Sequence, residues 1–255
     1  FLKKDSEFLY EKGDKPIVNI LRNIFWFIFI ISIPILLISS VVELELNFLP
    51  LYEYAYQKYH ISEVTGFTDE QLMRITRHLI QFFNGKVENV QLMMEKKGKP
   101  LYLFHSHEIE HLNDVKVIFH YTFQVLIITL LCFAVYLIFT IARRDQNRWY
   151  HFWKALRGGN ILTVGLLLVL GIFVFFGFYQ LFLQFHYLVF GDPASTPWIL
   201  DPRTDYLIMM YPLNFWQDAA ILGIGTIVIA ALLFILISSI VLQGYRRKGR
   251  YHYKR

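Results

Sequence analysis

Val117–Ala142 reads VIFHYTFQVLIITLLCFAVYLIFTIA and contains no Asp, Glu, Lys or Arg. A helix crossing a bilayer's hydrocarbon core needs about 20 predominantly apolar residues, so this run is long enough. Lipid offers its backbone no hydrogen-bond partners, so the run must be helical. Asn23–Val42, Gly158–Gly191 and Ala219–Tyr245 are equally free of those four residue types. Four such runs in 255 residues leave too little polar chain to cover them as the core of a soluble protein. The expected fold is an all-α membrane protein with transmembrane helices at 23–42, 117–142, 158–191 and 219–245.

The basic residues orient these helices. Segments 1–22, 143–157 and 246–255 hold 16 of the 25 Lys and Arg but only five of the 20 Asp and Glu. That face carries +11, and the face made of 43–116 and 192–218 carries −6. Excess Lys and Arg mark the cytoplasmic side. Both termini are therefore expected inside, in a plasma membrane, with 43–116 and 192–218 outside. The basic overall charge follows from this asymmetry and implies no nucleic-acid partner. No small-x-small cleavage pattern follows Val42, so the first run reads as a retained helix. Cys132 lies within the second run, where it has no disulfide partner in the chain and no access to chemistry at the interface.

Segment 43–116 is long enough to fold as a small extracellular α/β cap between helices 1 and 2. Thr68-Asp69-Glu70-Gln71 has the form of a capping box opening a helix. Leu72, Ile75, Leu79, Ile80 and Phe83 then recur at helical spacing. Val90–Met94 and Pro100–Phe104 flank Lys96-Lys97-Gly98-Lys99, which reads as a hairpin. Tyr52, Tyr54, Tyr56 and Tyr59 fit either an interfacial aromatic belt or the wall of an acyl-chain pocket.

Two histidines fall at the outer membrane face. His111 precedes the second apolar run by about two turns, and His186 closes the third. Measured from Gly159 at about 1.5 Å per residue, His186 lies roughly 40 Å along a straight helix, at the outer headgroup level. The two helices are consecutive and antiparallel, so their outer ends can be neighbours. Paired imidazoles at a lipid–water boundary suit acid–base chemistry on a lipidic substrate. Glu108 and Asp114 share a helical stripe with His111, and Asp114 is placed to orient that imidazole. His107-Glu108-Ile109-Glu110-His111 also matches the H-E-x-x-H pattern of zinc hydrolases, with His105, His120, His186 and Asp114 as further possible ligands. A third reading is a lipid-binding membrane protein without catalysis. Segment 192–218 carries Trp198, Tyr206, Tyr211, Phe215 and Trp216, which suit interfacial anchors or a cover over a lipid.

The chain resembles a family at this point. Glu108, His111, Leu112, Asp114, Val115 and Lys116 look like its first signature. Phe185, His186 and Phe190, then Trp198, then Asp201, Pro202, Asp205, Leu207, Ile208, Pro212, Phe215 and Trp216 look like its second. The family is that of the small bacterial four-helix integral membrane proteins that includes the lipoprotein intramolecular transacylase. The resemblance covers nearly the whole chain. Residues 193–197 stand as an insertion before Trp198, and His107 lies outside the family pattern, which weighs against zinc.

The resemblance implies that the sn-2 acyl chain of a diacylglyceryl-modified lipoprotein moves to the α-amine of its N-terminal cysteine, giving the lyso form through an eight-membered ring. It implies His111 and His186 as catalytic residues and Glu108, Asp114, Asp201 and Asp205 as supporting ones. Phe185, Phe190, Trp198, Tyr211 and Trp216 would line the substrate pocket. The expected partners are such lipoproteins and membrane lipids. A monomer without metal or other cofactor is expected. No enzyme nucleophile is needed, consistent with a sequence that has no G-x-S-x-G motif.

Overall fold

The computed structural model describes residues 16–143, 145–194 and 198–252. Residues 1–15, Arg144, three positions of the 193–197 insertion and the last three residues lie outside the described residues. In chain order the elements are α1 (Pro16–Leu46), α2 (Leu49–Lys58), α3 (Ile61–Thr65), α4 (Asp69–Phe83), β1 (Met93–Lys96), β2 (Lys99–Tyr102), α5 (Ser106–Ala142), α6 (Arg148–Phe176), α7 (Phe178–Phe190), α8 (Tyr206–Met210) and α9 (Leu213–His252). Among the described residues, four helices are long and apolar enough to cross a membrane, within α1, α5, α6 and α9.

α1 packs on α5, α6 and α9, and α6 packs along α9. Phe29 of α1 stacks on Tyr136 of α5 with ring centroids 3.9 Å apart, and Ile33, Phe152, Ala155 and Leu156 complete that layer. Gly159 permits the α1–α6 approach, because a Cβ there would lie 2.8 Å from the Ile33 side chain and 3.0 Å from the Ile30 carbonyl. Lipid supplies no hydrophobic drive for helices to associate, so close backbone packing at small residues has to hold them. The outward faces remain apolar, with Leu131, Leu168, Phe175, Ile229 and Leu233 all exposed.

The helices outrun the charge-free stretches. α5 begins at Ser106 and passes unbroken through the charged 108–116 segment, and α6 begins at Arg148 inside the expected 143–157 loop. Charged residues mark where lipid ends, while hydrogen-bonded turns continue into water. The expected single helix over 158–191 divides at Gly177, whose φ of −147° and ψ of 33° separate α6 from α7.

The cap combines α2, α3 and α4 with one two-stranded antiparallel sheet. Thr68 Oγ1 accepts from the Gln71 N–H while Gln71 Oε1 accepts from the Thr68 N–H, which fixes the start of α4. Leu72, Ile75, Leu79 and Phe82 face the core. Phe82, fully buried, takes the deep position expected of Phe83. Strands β1 and β2 are shorter than expected and join through Lys97 and Gly98, with φ of 53° and 74°. Positive φ at both turn residues matches the twist of the strands it connects. The core is completed from a distant segment, because Leu207, Met210, Tyr211 and Phe215 pack among Leu51, Tyr56, Leu79 and Phe104. Lys58 and Tyr59 both reach Asp218 at 2.6 Å, which ties α2 to the first turns of α9.

Candidate functional site

The N-terminal turns of α5 carry His111, and α7 carries His186. The two imidazoles meet with ring centroids 6.1 Å apart and planes inclined by 30°. Both are buried, His111 at 8% and His186 at 9% exposure. His186 Nδ1 lies 2.8 Å from the Phe182 carbonyl one turn earlier. A carbonyl only accepts, so Nδ1 carries the hydrogen and Nε2 of the neutral ring is left as an acceptor. His111 Nδ1 is buried without a hydrogen-bond partner. A buried polar atom with no partner is costly and calls for an explanation, and a reacting ligand is one.

Aromatic rings enclose the pair. Phe190 lies 4.9 Å from His111 and 5.3 Å from His186. Phe182 lies 4.1 Å, Trp198 5.3 Å and Phe185 5.6 Å from His186. Trp198 is held by donating to the Gly191 carbonyl at 3.1 Å and by an edge contact with Tyr187. Phe185 is half exposed, so it borders the site from its open side. Sequence reasoning missed Phe182. Its position four residues before His186 on an apolar helix was the available signal, since residues i and i+4 share a face and the His186 side chain leans back toward the Phe182 ring and carbonyl.

Tyr211 and Trp216 sit elsewhere. The Tyr211 hydroxyl accepts from Tyr56 at 3.0 Å and lies 3.1 Å from Thr76 Oγ1 inside the cap core. Burial pushes that phenol far above its ordinary range. Trp216 is 40% exposed and packs its edge on Phe215. Neither residue has a ring contact with His111 or His186.

The acidic residues form a framework beside the pair. Glu108 is fully buried, and its two oxygens accept from the His105 N–H at 2.7 Å and from the Leu207 N–H at 2.8 Å. It thereby joins the start of α5 to the start of α8. Asp205, 3% exposed, accepts from the Asp201 N–H, Thr204 Oγ1, His105 Nδ1 and His107 Nε2 at 2.8, 3.0, 3.3 and 2.9 Å. Burial alone would push its carboxyl up, but the bonds from His107, the Asp201 amide and Thr204 hold it below the usual range. Asp201 is a turn residue whose carboxylate is bound by Arg203, which holds it down to about 2. Asp114 is half-buried and does not bond His111 Nδ1.

The H-E-x-x-H pattern is divided among three environments. His107 turns to Asp205, Glu108 to two backbone amides, and His111 to His186 and Phe190. Among the described residues, the group whose ligand atoms do lie together, within 4.8 Å of one another, is His105, His107, Glu108 and Asp205, without His111.

Comparison with known proteins gives a consistent picture. Residues 27–216 match the family model described as lipoprotein intramolecular transacylase Lit. An uncharacterised protein of Aquifex aeolicus (strain VF5) is 31% identical over 141 residues. That match covers 55% of each chain, so this chain spans about half the length of the curated relative. A structure of the membrane integral lipoprotein intramolecular transacylase of Bacillus cereus superposes with a TM-score of 0.75 at 19% identity, covering 90% of this chain and 99% of that one. A second structure of that enzyme, with a histidine replaced by arginine, gives 0.71 at 18% identity over 91% and 97% of the two chains.

Proposed function

The chain belongs to the lipoprotein intramolecular transacylase (Lit) family, and we propose that it moves the sn-2 acyl chain of diacylglyceryl-cysteine to the α-amine of the same lipoprotein's N-terminal cysteine. It is a multi-pass membrane protein. The distribution of Lys and Arg supports cytoplasmic termini and a site at the outer face of a bacterial plasma membrane.

The observation that carries the reading is the buried, aromatic-walled meeting of His111 and His186, one with an acceptor nitrogen set by its tautomer and the other with a buried nitrogen awaiting a partner. The amine nitrogen attacks the ester carbonyl, and its proton passes to His186 Nε2. The tetrahedral intermediate then collapses, the carbonyl carbon parts from the glyceryl oxygen, and the proton that His186 has gained passes by way of His111 to that oxygen, which leaves both imidazoles neutral again. One C–N bond forms, one C–O bond breaks and one proton moves from nitrogen to oxygen, so no water, oxidant or cofactor is consumed. An eight-membered ring closes poorly in solution. Holding amine and ester in contact supplies the orientation that solution lacks, and effective molarities show this lever can be worth about 7–11 kcal/mol. Phe182, Phe185, Phe190 and Trp198 keep water away from the ester. Glu108, Asp201 and Asp205 hold the 198–206 segment, and Trp198 with it, against α5.

Purified protein incubated with a synthetic diacylglyceryl lipopeptide tests this by tandem mass spectrometry. The product must keep the substrate's mass while its fragments move one acyl group from glycerol to the amine. Release of free fatty acid with gain of water would establish a hydrolase instead, and an unchanged lipopeptide would remove catalysis.

A further inference from the structure

Two carboxylates lie beside each other at the junction of α5 and the 201–206 turn. The Glu108 and Asp205 side chains are 0% and 4% exposed. Two half-exposed imidazoles close over them, His105 and His107, stacked with centroids 5.6 Å apart. His105 Nδ1 lies 3.2 Å from Glu108 Oε2 and 3.3 Å from Asp205 Oδ1. Those separations are long for charge-assisted N–H···O bonds, which run about 2.7–2.9 Å. They match the edge of a tetrahedron, about 3.3 Å when ligand bonds are roughly 2.0–2.1 Å. His107 Nε2 stands 2.9 Å from Asp205 Oδ2, shorter than that edge, and the four ligand atoms lie within 4.8 Å of one another, so small side-chain shifts would bring them onto one ion.

We propose that His105, His107, Glu108 and Asp205 form a binding site for one divalent transition-metal ion of the Zn²⁺ type, which clasps the 201–206 turn to the start of α5. Two imidazole nitrogens and two carboxylate oxygens suit tetrahedral Zn²⁺. One divalent cation balances the charge of two carboxylates. The exposed edges of His105 and His107 give the ion an entry path from water. Glu108 Oε1 stays on the Leu207 amide and the Asp201 amide stays on Asp205, so the backbone bonds that orient the carboxylates serve as the ligands' support. The clasp is structural. It involves neither His111 nor His186 and stabilises the segment that carries Trp198 against His186.

The test is Zn²⁺ binding to the full-length protein in detergent after chelator treatment, followed by calorimetric titration with ZnCl₂ and by thermal unfolding. The expected result is one Zn²⁺ per chain and a raised unfolding temperature. Affinity should fall at least about tenfold in His105→Gln and in His107→Gln, and stay unchanged in His60→Gln, a histidine exposed on the cap. Asp205→Asn risks misfolding because that carboxylate accepts four bonds. The two glutamine variants, at half-exposed positions, therefore decide the matter. No saturable binding would overturn the site, as would stoichiometric binding that survives in both glutamine variants. Acyl transfer is not the readout, so this outcome is independent of the proposed reaction.

Discussion

His111 Nδ1 is a buried nitrogen with no partner, set against a second imidazole whose tautomer is fixed by the Phe182 carbonyl. Proton transfer by a positioned side chain contributes about 10²–10⁴-fold to rate. His111→Ala and His186→Ala are each expected to insert normally and to lose the lyso product by that factor, as read from initial rate per unit of membrane-inserted protein. A rate retained in either variant would remove that residue from catalysis. Glu108 has a different kind of importance. Both its oxygens accept backbone N–H groups in a fully buried place, and each orphaned donor costs about 1–3 kcal/mol. Glu108→Ala should therefore lower thermal stability sharply, and Glu108→Gln, which keeps one acceptor, should lower it less. Equal stability of the two would mean that water replaces the lost carboxylate.

The elements explain what the sequence could and could not reveal. The charge-free runs located four spanning helices because lipid leaves no other structure for such a stretch. They could not locate helix ends, since α5 continues through Glu108, Glu110, Asp114 and Lys116. The break at Gly177 was hidden too, because membrane helices tolerate glycine freely. His111 and His186 were legible from position, each standing where an apolar run meets water. The partners of Glu108 and His107 were not, because Leu207 and Asp205 lie about a hundred residues away and only the tertiary fold brings them in. For the same reason Tyr211, legible as an aromatic in the right segment, turned out to bond Tyr56 and Thr76 in the cap core. Helix contacts make their own prediction. A Cβ at Gly159 meets Ile33 at 2.8 Å, whereas one at Gly165 meets nothing within 4 Å. Overpacking costs about 1–3 kcal/mol, so Gly159→Ala should unfold at lower temperature than Gly165→Ala in the same detergent. Matching unfolding temperatures would show that α1 and α6 yield at no cost.

The whole molecule is a four-helix membrane frame whose cap core is built from two distant stretches, 51–112 and 207–215, with the histidine pair beside their junction. In the proposed reaction a lipid ester and an amine meet within this single confined site, and that reaction calls for no acyl-enzyme and no second substrate. The most direct measurement of that claim is a crossover experiment. Two diacylglyceryl lipopeptides, one with isotope-labelled acyl chains and the other with a labelled peptide, are mixed with the purified protein, and the N-acylated products are sorted by mass. Transfer within one molecule predicts that every product keeps the pairing of its parent substrate. Products that join the labelled acyl chain to the labelled peptide would contradict the account.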